Sequence, residues 1–175
     1  MITIYTDGAV SKNGQAGAYG GWGFVRAEDD HYEFGGLAIN ATNQICELKA
    51  IYKACKYAEA LLKESSESFP PENVIIRSDS AYVINCYKQK WYVSWQSNGW
   101  KNSKKEPVAN QELWELIIPY FENPRFIFEK VMGHSGDKYN TLADSYANKG
   151  KEEARIARQR FDELLEEGGL VVDAK

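Results

Sequence analysis

Cysteine is scarce in this 175-residue chain, which carries only Cys46, Cys55 and Cys86. An odd count with no CxxC pair argues against a disulfide framework and against a structural zinc site. It fits small buried thiols in a reducing compartment. Long apolar runs are also missing, and nothing approaches the roughly 20 residues that span a bilayer. The N-terminus has no basic segment followed by an apolar one, so no secretory leader is read there. Instead Met-Ile-Thr-Ile-Tyr-Thr-Asp is a strand pattern from its first residues. A cytoplasmic chain without membrane contact is the expectation. No internal repeat or low-complexity tract is present.

Acidic residues are absent from one long stretch. Between Ser80 and Lys105 stand Lys88, Lys90, Lys101, Lys104 and Lys105, with no Asp or Glu. The net charge of the chain is −4, so everything outside that stretch carries −9 against its +5. A segregated basic patch can attract phosphates although the whole molecule is acidic, and a charge run can equally be a solvated face.

What is present suffices for one packed domain: 43% of residues are hydrophobic and 13% aromatic. Ile2–Thr6 alternates as a strand, and a glycine-rich turn is expected after it (Gly8, Gly14, Gly17, Gly20, Gly21, Gly23). Tyr19–Ala27 and Tyr32–Ile39 read as two further strands joined at Glu28-Asp29-Asp30, and short links make these three antiparallel. From about Thr42 to Lys63, apolar residues recur every three to four positions, which is one stripe of a helix. Asn73–Ser78 is a strand reached by that helical crossover, hence parallel to the first. A helical stretch from Ser80, a helix around Gln111–Phe121, a fifth strand at Arg125–Val131 and a last helix from about Thr141, broken near Gly150, complete the reading. The fold class is α/β, a five-stranded mixed sheet flanked by helices.

Four acids occupy informative places. Asp7 is expected at the end of the first strand, Glu47 in the first turns of the first long helix, Asp79 at the end of the fourth strand, and Asp144 in the first turn of the last helix. Taken singly, each fits a helix cap or a solvated loop residue. Strand ends and helix starts converge at one edge of an open α/β sheet, however, and four converging carboxylates repel unless cations neutralise them. Oxygen-only ligands favour Mg²⁺ or Mn²⁺, and such a cluster suits two-metal phosphoryl transfer.

Tyr5-Thr6-Asp7-Gly8-Ala9, the run Thr42-Asn43-Gln44-Ile45-Cys46-Glu47-Leu48, the Ser78-Asp79-Ser80 turn, and Gly133-His134-Ser135-Gly136 with Asp144 ten residues beyond His134 together resemble type 1 ribonuclease H. Each motif alone is weak. All four in order, from Met1 to about Lys149, are specific. The resemblance implies a ribonuclease H-like fold and an endonuclease that hydrolyses the RNA strand of RNA–DNA hybrids with two Mg²⁺ ions (Mn²⁺ being possible), leaving 5′-phosphate and 3′-hydroxyl ends. It implies that Asp7 bridges both ions, that Asp144 helps hold the ion activating water, and that Glu47 and Asp79 hold the ion at the leaving oxygen. His134, between glycines in a loop, would serve proton transfer or product release.

The resemblance also implies a basic protrusion over about residues 86–108, with aromatics lining a channel for the DNA strand; Tyr82, Trp91 and Trp95 fall at or near the channel positions. Trp91 and Trp95 share a helix face by spacing, and that face could also be plain core. One extra residue stands between Asp79 and Trp91, which would turn a continuous helix by about 100°, so a bulge or altered turn must absorb it. Asn13, Thr42, Asn43 and Gln44 are the implied contacts to the hybrid, and Thr42 is equally a good helix N-cap. Ala81 and Thr141 depart from the family pattern, which often has a longer side chain at the first and an acid at the second. The catalytic domain is placed at 1–150, and 151–175 is read as a charged helical extension, solvated or touching a partner. The expectation is a monomer whose partner is the hybrid, with no obligatory protein partner. A catalytically dead hybrid-binding module and a DNA-directed nuclease of the same superfold are the alternatives; the four acids oppose the first, and Asn43, Gln44, the lysines and His134 oppose the second.

Overall fold

The structure, a computed structural model, describes residues 1–65, 72–132 and 136–168. Its order is β1 (Ile2–Ser11), β2 (Tyr19–Arg26), β3 (Tyr32–Leu37), α1 (Asn43–Glu64), β4 (Val74–Ser78), α2 (Ala81–Gln89), α3 (Trp91–Asn98), α4 (Gln111–Phe121), β5 (Phe126–Lys130) and α5 (Lys138–Glu166). The five strands form one mixed sheet ordered β3-β2-β1-β4-β5. β1 runs antiparallel to β2 and parallel to β4, as the link lengths require. The main core lies under α1, where Ile4, Phe24, Leu48, Ile51, Ile76, Trp114, Ile117 and Phe128 are all but fully buried. Each such side chain contributes about 1.5–3 kcal/mol.

Beyond one- or two-residue shifts at element ends, four features differ from the sequence reading. β1 does not end at Asp7 but continues to Ser11, because β2 keeps pairing with it as far as Ser11↔Tyr19. Of the glycines expected in a turn, Gly14 and Gly17 lie there with positive φ, whereas Gly8, Gly20, Gly21 and Gly23 sit inside strands. α5 starts at Lys138, three residues early, because the Asp137 side chain accepts the N–H groups of Tyr139 and Asn140 and caps it there.

α5 also runs unbroken through Gly150. A helical glycine costs about 1 kcal/mol. Here it is where the helix touches the sheet: a Cβ on Gly150 would lie 2.2 Å from the carbonyl oxygen of Gly35. The sheet answers with its own small residues, since a Cβ on Gly21 would stand 2.2 Å from the Lys151 nitrogen and 2.3 Å from the Ala147 oxygen. Ala143, Ala147, Gly150 and Ala154 are the buried positions of α5 that complete this seam, along with Asn140.

The extra residue before Trp91 is absorbed at Lys90, which adopts the left-handed conformation (φ 54°, ψ 42°) and separates α2 from α3. All three cysteines are buried. Among the described residues no helix is long and apolar enough to cross a membrane. Beyond Ala154 the side chains of α5 are mostly exposed, with Arg155 paired to Glu152 and Arg158 to Asp162.

Gly21→Ala should therefore destabilise the domain by about 3 kcal/mol or more, because the new methyl meets backbone that cannot swing aside. A urea titration should show a lower midpoint at unchanged slope. A midpoint equal to the wild type would contradict this packing of α5 on β2.

Candidate active site

The parallel β1–β4 ladder ends at the pair Thr6↔Ser78. Asp7, still within β1, and Asp79, just past the end of β4, each follow that pair, so the chain brings both to the carboxyl edge of the parallel ladder. α1 brings Glu47 to the same edge. Its approach depends on Gly8, where a Cβ would lie 2.6 Å from the Glu47 nitrogen. Ligand oxygens of Asp7, Glu47 and Asp79 come within 4.8 Å of one another. Asp144 joins them in a cleft of about 300 Å³ that is also lined by Gly8, Asn43, Asn140 and Thr141. Because α5 begins at Lys138, Asp144 lies in the second turn and not the first. The cap that Asp144 or Asp79 could each have supplied is made by neighbours: Asp137 caps α5, and Ser80 caps α2 through the Val83 N–H.

The electrostatics follow from this crowding. Asp7 is only 8% exposed. Its carboxyl is pushed up from 3.8 to about 8, chiefly by burial, then by the charge of Asp79, with smaller contributions from Glu47 and Asp144; the Gly8 N–H, donating to Oδ1 at 2.8 Å, opposes the rise. Burial and Asp79 raise Glu47 as well, against hydrogen bonds from Ser80 and Asn43. Asp7 is thus the carboxylate that feels all three others. Four carboxylates in one cleft, one of them held largely protonated by burial and by the others, fit divalent cations better than an empty anionic hole.

The remaining candidate residues divide into those at the cleft and those at a second groove. Asn43 reaches Glu47 with its amide and receives the Asn13 side-chain oxygen at its backbone N–H, 3.0 Å away. The Thr42 hydroxyl accepts from Ile45 N–H at 3.1 Å, so the helix-cap role is realised. Gln44 accepts from Asn110 at 2.6 Å. Tyr82, Trp91, Trp95, Lys101 and Lys104 line a groove of about 690 Å³. In that groove Tyr82 is 42% exposed, but Trp95 is only 6% exposed and belongs to the main core, packing edge-on against Trp114 at 5.3 Å. Lys88, Lys90 and Lys105 are exposed outside the groove lining. His134 lies outside the described residues.

Asn140 and Asn110 are residues the sequence reading missed. Asn140 is buried and faces the cleft one helical turn before Asp144. The spacing points to it once the helix start is set at Lys138. Asn110 precedes α4 in a left-handed conformation and holds Gln44, a tertiary contact over 66 positions that no local pattern announces.

A family model for RNase H matches residues 1–152. Ribonuclease H of Syntrophomonas wolfei is 46% identical over 147 residues, 83% of this chain and 92% of that one. Ribonuclease H of Clostridium botulinum is 39% identical over 156 residues, 89% and 98% of the two chains. Among solved structures, the foamy viral protease–reverse transcriptase in complex with RNA/DNA hybrid matches with a TM-score of 0.67 at 25% identity, over 86% of this chain and 20% of that one. The chain belongs to the RNase H family, and it is a ribonuclease H enzyme.

In metal-free protein the raised Asp7 pKa has a definite sign. Between about pH 4 and pH 8 the folded state holds a proton that the unfolded chain has released, so stability is lost as pH rises through that window. Thermal unfolding in chelator should show a midpoint that falls from pH 5 to pH 8. Asp7→Asn should remove most of that fall and be the more stable protein at pH 8. Identical pH slopes in the two proteins would refute the crowding.

Proposed function

We propose that this enzyme hydrolyses the RNA strand of RNA–DNA hybrids at the Asp7–Glu47–Asp79–Asp144 cleft, leaving 5′-phosphate and 3′-hydroxyl ends. The observation that carries the reading is the meeting of three carboxylates within 4.8 Å, with the fourth in the same cleft, in a chain of this family. Divalent cations, Mg²⁺ or Mn²⁺, would be held by these four residues and would supply charge neutralisation and Lewis-acid polarisation for phosphodiester hydrolysis. Asp7 would serve both ions, Glu47 and Asp79 one of them, and Asp144 the other.

The chain's own groups support this. The Gly8 N–H fixes one Asp7 oxygen, while Asn43 and Ser80 orient the Glu47 carboxylate from two sides. Burial of Asp7 and Glu47 withdraws water, which strengthens every charge interaction made there. Asn13, Thr42, Asn43 and Gln44 cluster at the start of α1 beside the cleft, and amides and hydroxyls of this kind suit 2′-hydroxyls and minor-groove edges. His134 would assist proton transfer or product release. The groove of Tyr82 and Trp91, with the edge of Trp95, would take the partner strand, and Lys88, Lys90, Lys101, Lys104 and Lys105 its phosphates.

The test compares cleavage of labelled RNA–DNA hybrid, double-stranded RNA and double-stranded DNA in Mg²⁺. Only the hybrid should be cut, and Asp7→Asn should lose cleavage by at least about a thousandfold while remaining folded. Full activity in purified Asp7→Asn would overturn the assignment.

Substrate grip is a separate expectation. Neutralising the five lysines in an Asp7→Asn background should weaken hybrid binding. It should also flatten the log K against log salt slope by somewhat under one unit for each phosphate that is no longer neutralised. An unchanged slope would make the lysines a solvated face only.

A further inference from the structure

One pleat below the carboxylates, three side chains lie in register across the sheet. Tyr5 pairs with Arg77 in the β1–β4 ladder, and Arg77 pairs with Glu129 in the β4–β5 ladder. Asp7 and Asp79 follow two residues later along the same chains. Strand alternation puts Tyr5 and Asp7 on the same face, the one covered by α5. The row is bonded throughout. Arg77 donates through Nη1 to the Tyr5 hydroxyl at 2.6 Å and through Nε to Glu129 Oε2 at 3.1 Å. Its guanidinium also stands 5.4 Å from the centre of the Tyr5 ring.

The row ends on a helix. Tyr5 is 4% exposed, and its hydroxyl donates to Asp137 Oδ2 at 3.4 Å. The other Asp137 oxygen accepts the N–H groups of Tyr139 and Asn140 at 2.9 and 3.1 Å. Tyr139 packs on the Tyr5 ring, centroids 5.5 Å apart, and donates its own hydroxyl to the Ala27 carbonyl at 2.8 Å. A phenol has one proton. With Arg77 donating to it, the Tyr5 hydroxyl is left to give that proton to Asp137, so it is the junction between the strand row and the helix cap.

Behind the cap come Asn140 and Asp144, both facing the cleft. The small-residue seam fixes α5 against the sheet further along, from Ala143 to Ala154. Its first turn is fixed by Tyr5, by Tyr139 and by the cap. We infer that Tyr5 and Arg77 are positioning residues that set the start of α5, and with it Asp144, against Asp7. Neither touches substrate. They act by making the strand that carries Asp7, the strand that leads to Asp79 and the helix that carries Asp144 a single bonded unit. The inference rests on the reading of the cleft given under Proposed function.

Tyr5→Phe keeps the ring and its packing and removes only the junction. Hybrid cleavage should show kcat reduced about tenfold, with KM changed less than twofold, since displacement of one carboxylate harms the reacting geometry and not the grip on the strand. In the metal-free protein, amide exchange at Tyr139 and Asn140 should be faster by about tenfold, with the amides of the β1–β4 ladder unchanged. Asp137→Asn keeps one acceptor oxygen for the cap but puts an NH2 where the Tyr5 hydroxyl needs an acceptor, so it should show the reduced kcat of Tyr5→Phe; Asp137→Ala, which loses the cap as well, should show that loss with still faster exchange at Tyr139 and Asn140. Wild-type kcat in Tyr5→Phe would overturn the inference. So would a lower melting temperature with unchanged kcat per folded molecule, which is what a merely structural tyrosine would give. Should the wild type itself fail to cut hybrid, the proposed function falls instead. The exchange rates then still decide whether Tyr5 holds the helix start, with unchanged rates counting against it.

Discussion

Carboxylates held within 4.8 Å of one another repel, and the cost rises as water is withdrawn from them. Around the cleft, three of the four acids are each fixed by a different kind of support. Asp7 has a backbone N–H on one oxygen; Glu47 has Asn43 and Ser80; Asp144 stands on a helix whose first turn is locked by Asp137. Two close approaches make the gathering geometrically feasible. Gly8 lets α1 come down onto β1, and the seam of Gly21, Gly23 and Gly150 lets α5 lie on β2 and β3. Close packing of two helices on the sheet thus brings the acids to one cleft, with Gly8 itself in its lining.

The second groove is organised differently. Its aromatic floor is continuous with the core: Trp95 contacts Trp91, Trp100 and Trp114, while Tyr82 meets both Trp91 and Trp114. A surface built on buried tryptophans is stiff. Lys101 and Lys104 are exposed at its lining, so the groove combines a packed aromatic floor with positive charge at its margin. Lys90 in its left-handed conformation is the corner that aims α3, and hence Trp91 and Trp95, into this arrangement.

Much of the fold was legible in the residues because the signals were periodic. The stripe of α1, the bounds of α4 at Gln111–Phe121 and the five strands needed only spacing and link length. The four acids were legible as a set because four motifs occur in order. What escaped depended on partners distant in sequence. Gly20, Gly21 and Gly23 look like turn residues unless one knows that α1 packs on the first and α5 on the other two. Asn140 reads as loop when the helix is started at Thr141, and only the Asp137 cap moves it inside. Trp95 offered both a core and a channel role at the level of spacing, and it proved to be core with one edge in the groove. Tyr5 and Arg77 read as ordinary strand residues until the register put them side by side and brought Asp137 to the same hydroxyl.

α5 is a single rod of 29 residues, roughly 40 Å from end to end. Its first turns belong to the cleft, its middle to the sheet, and its last turns to solvent. Glu166, at its far end, stands 22 residues and roughly 33 Å along the helix from Asp144. For the molecular engineer this marks the exposed last turns of α5 as a mounting point remote from the acidic cleft.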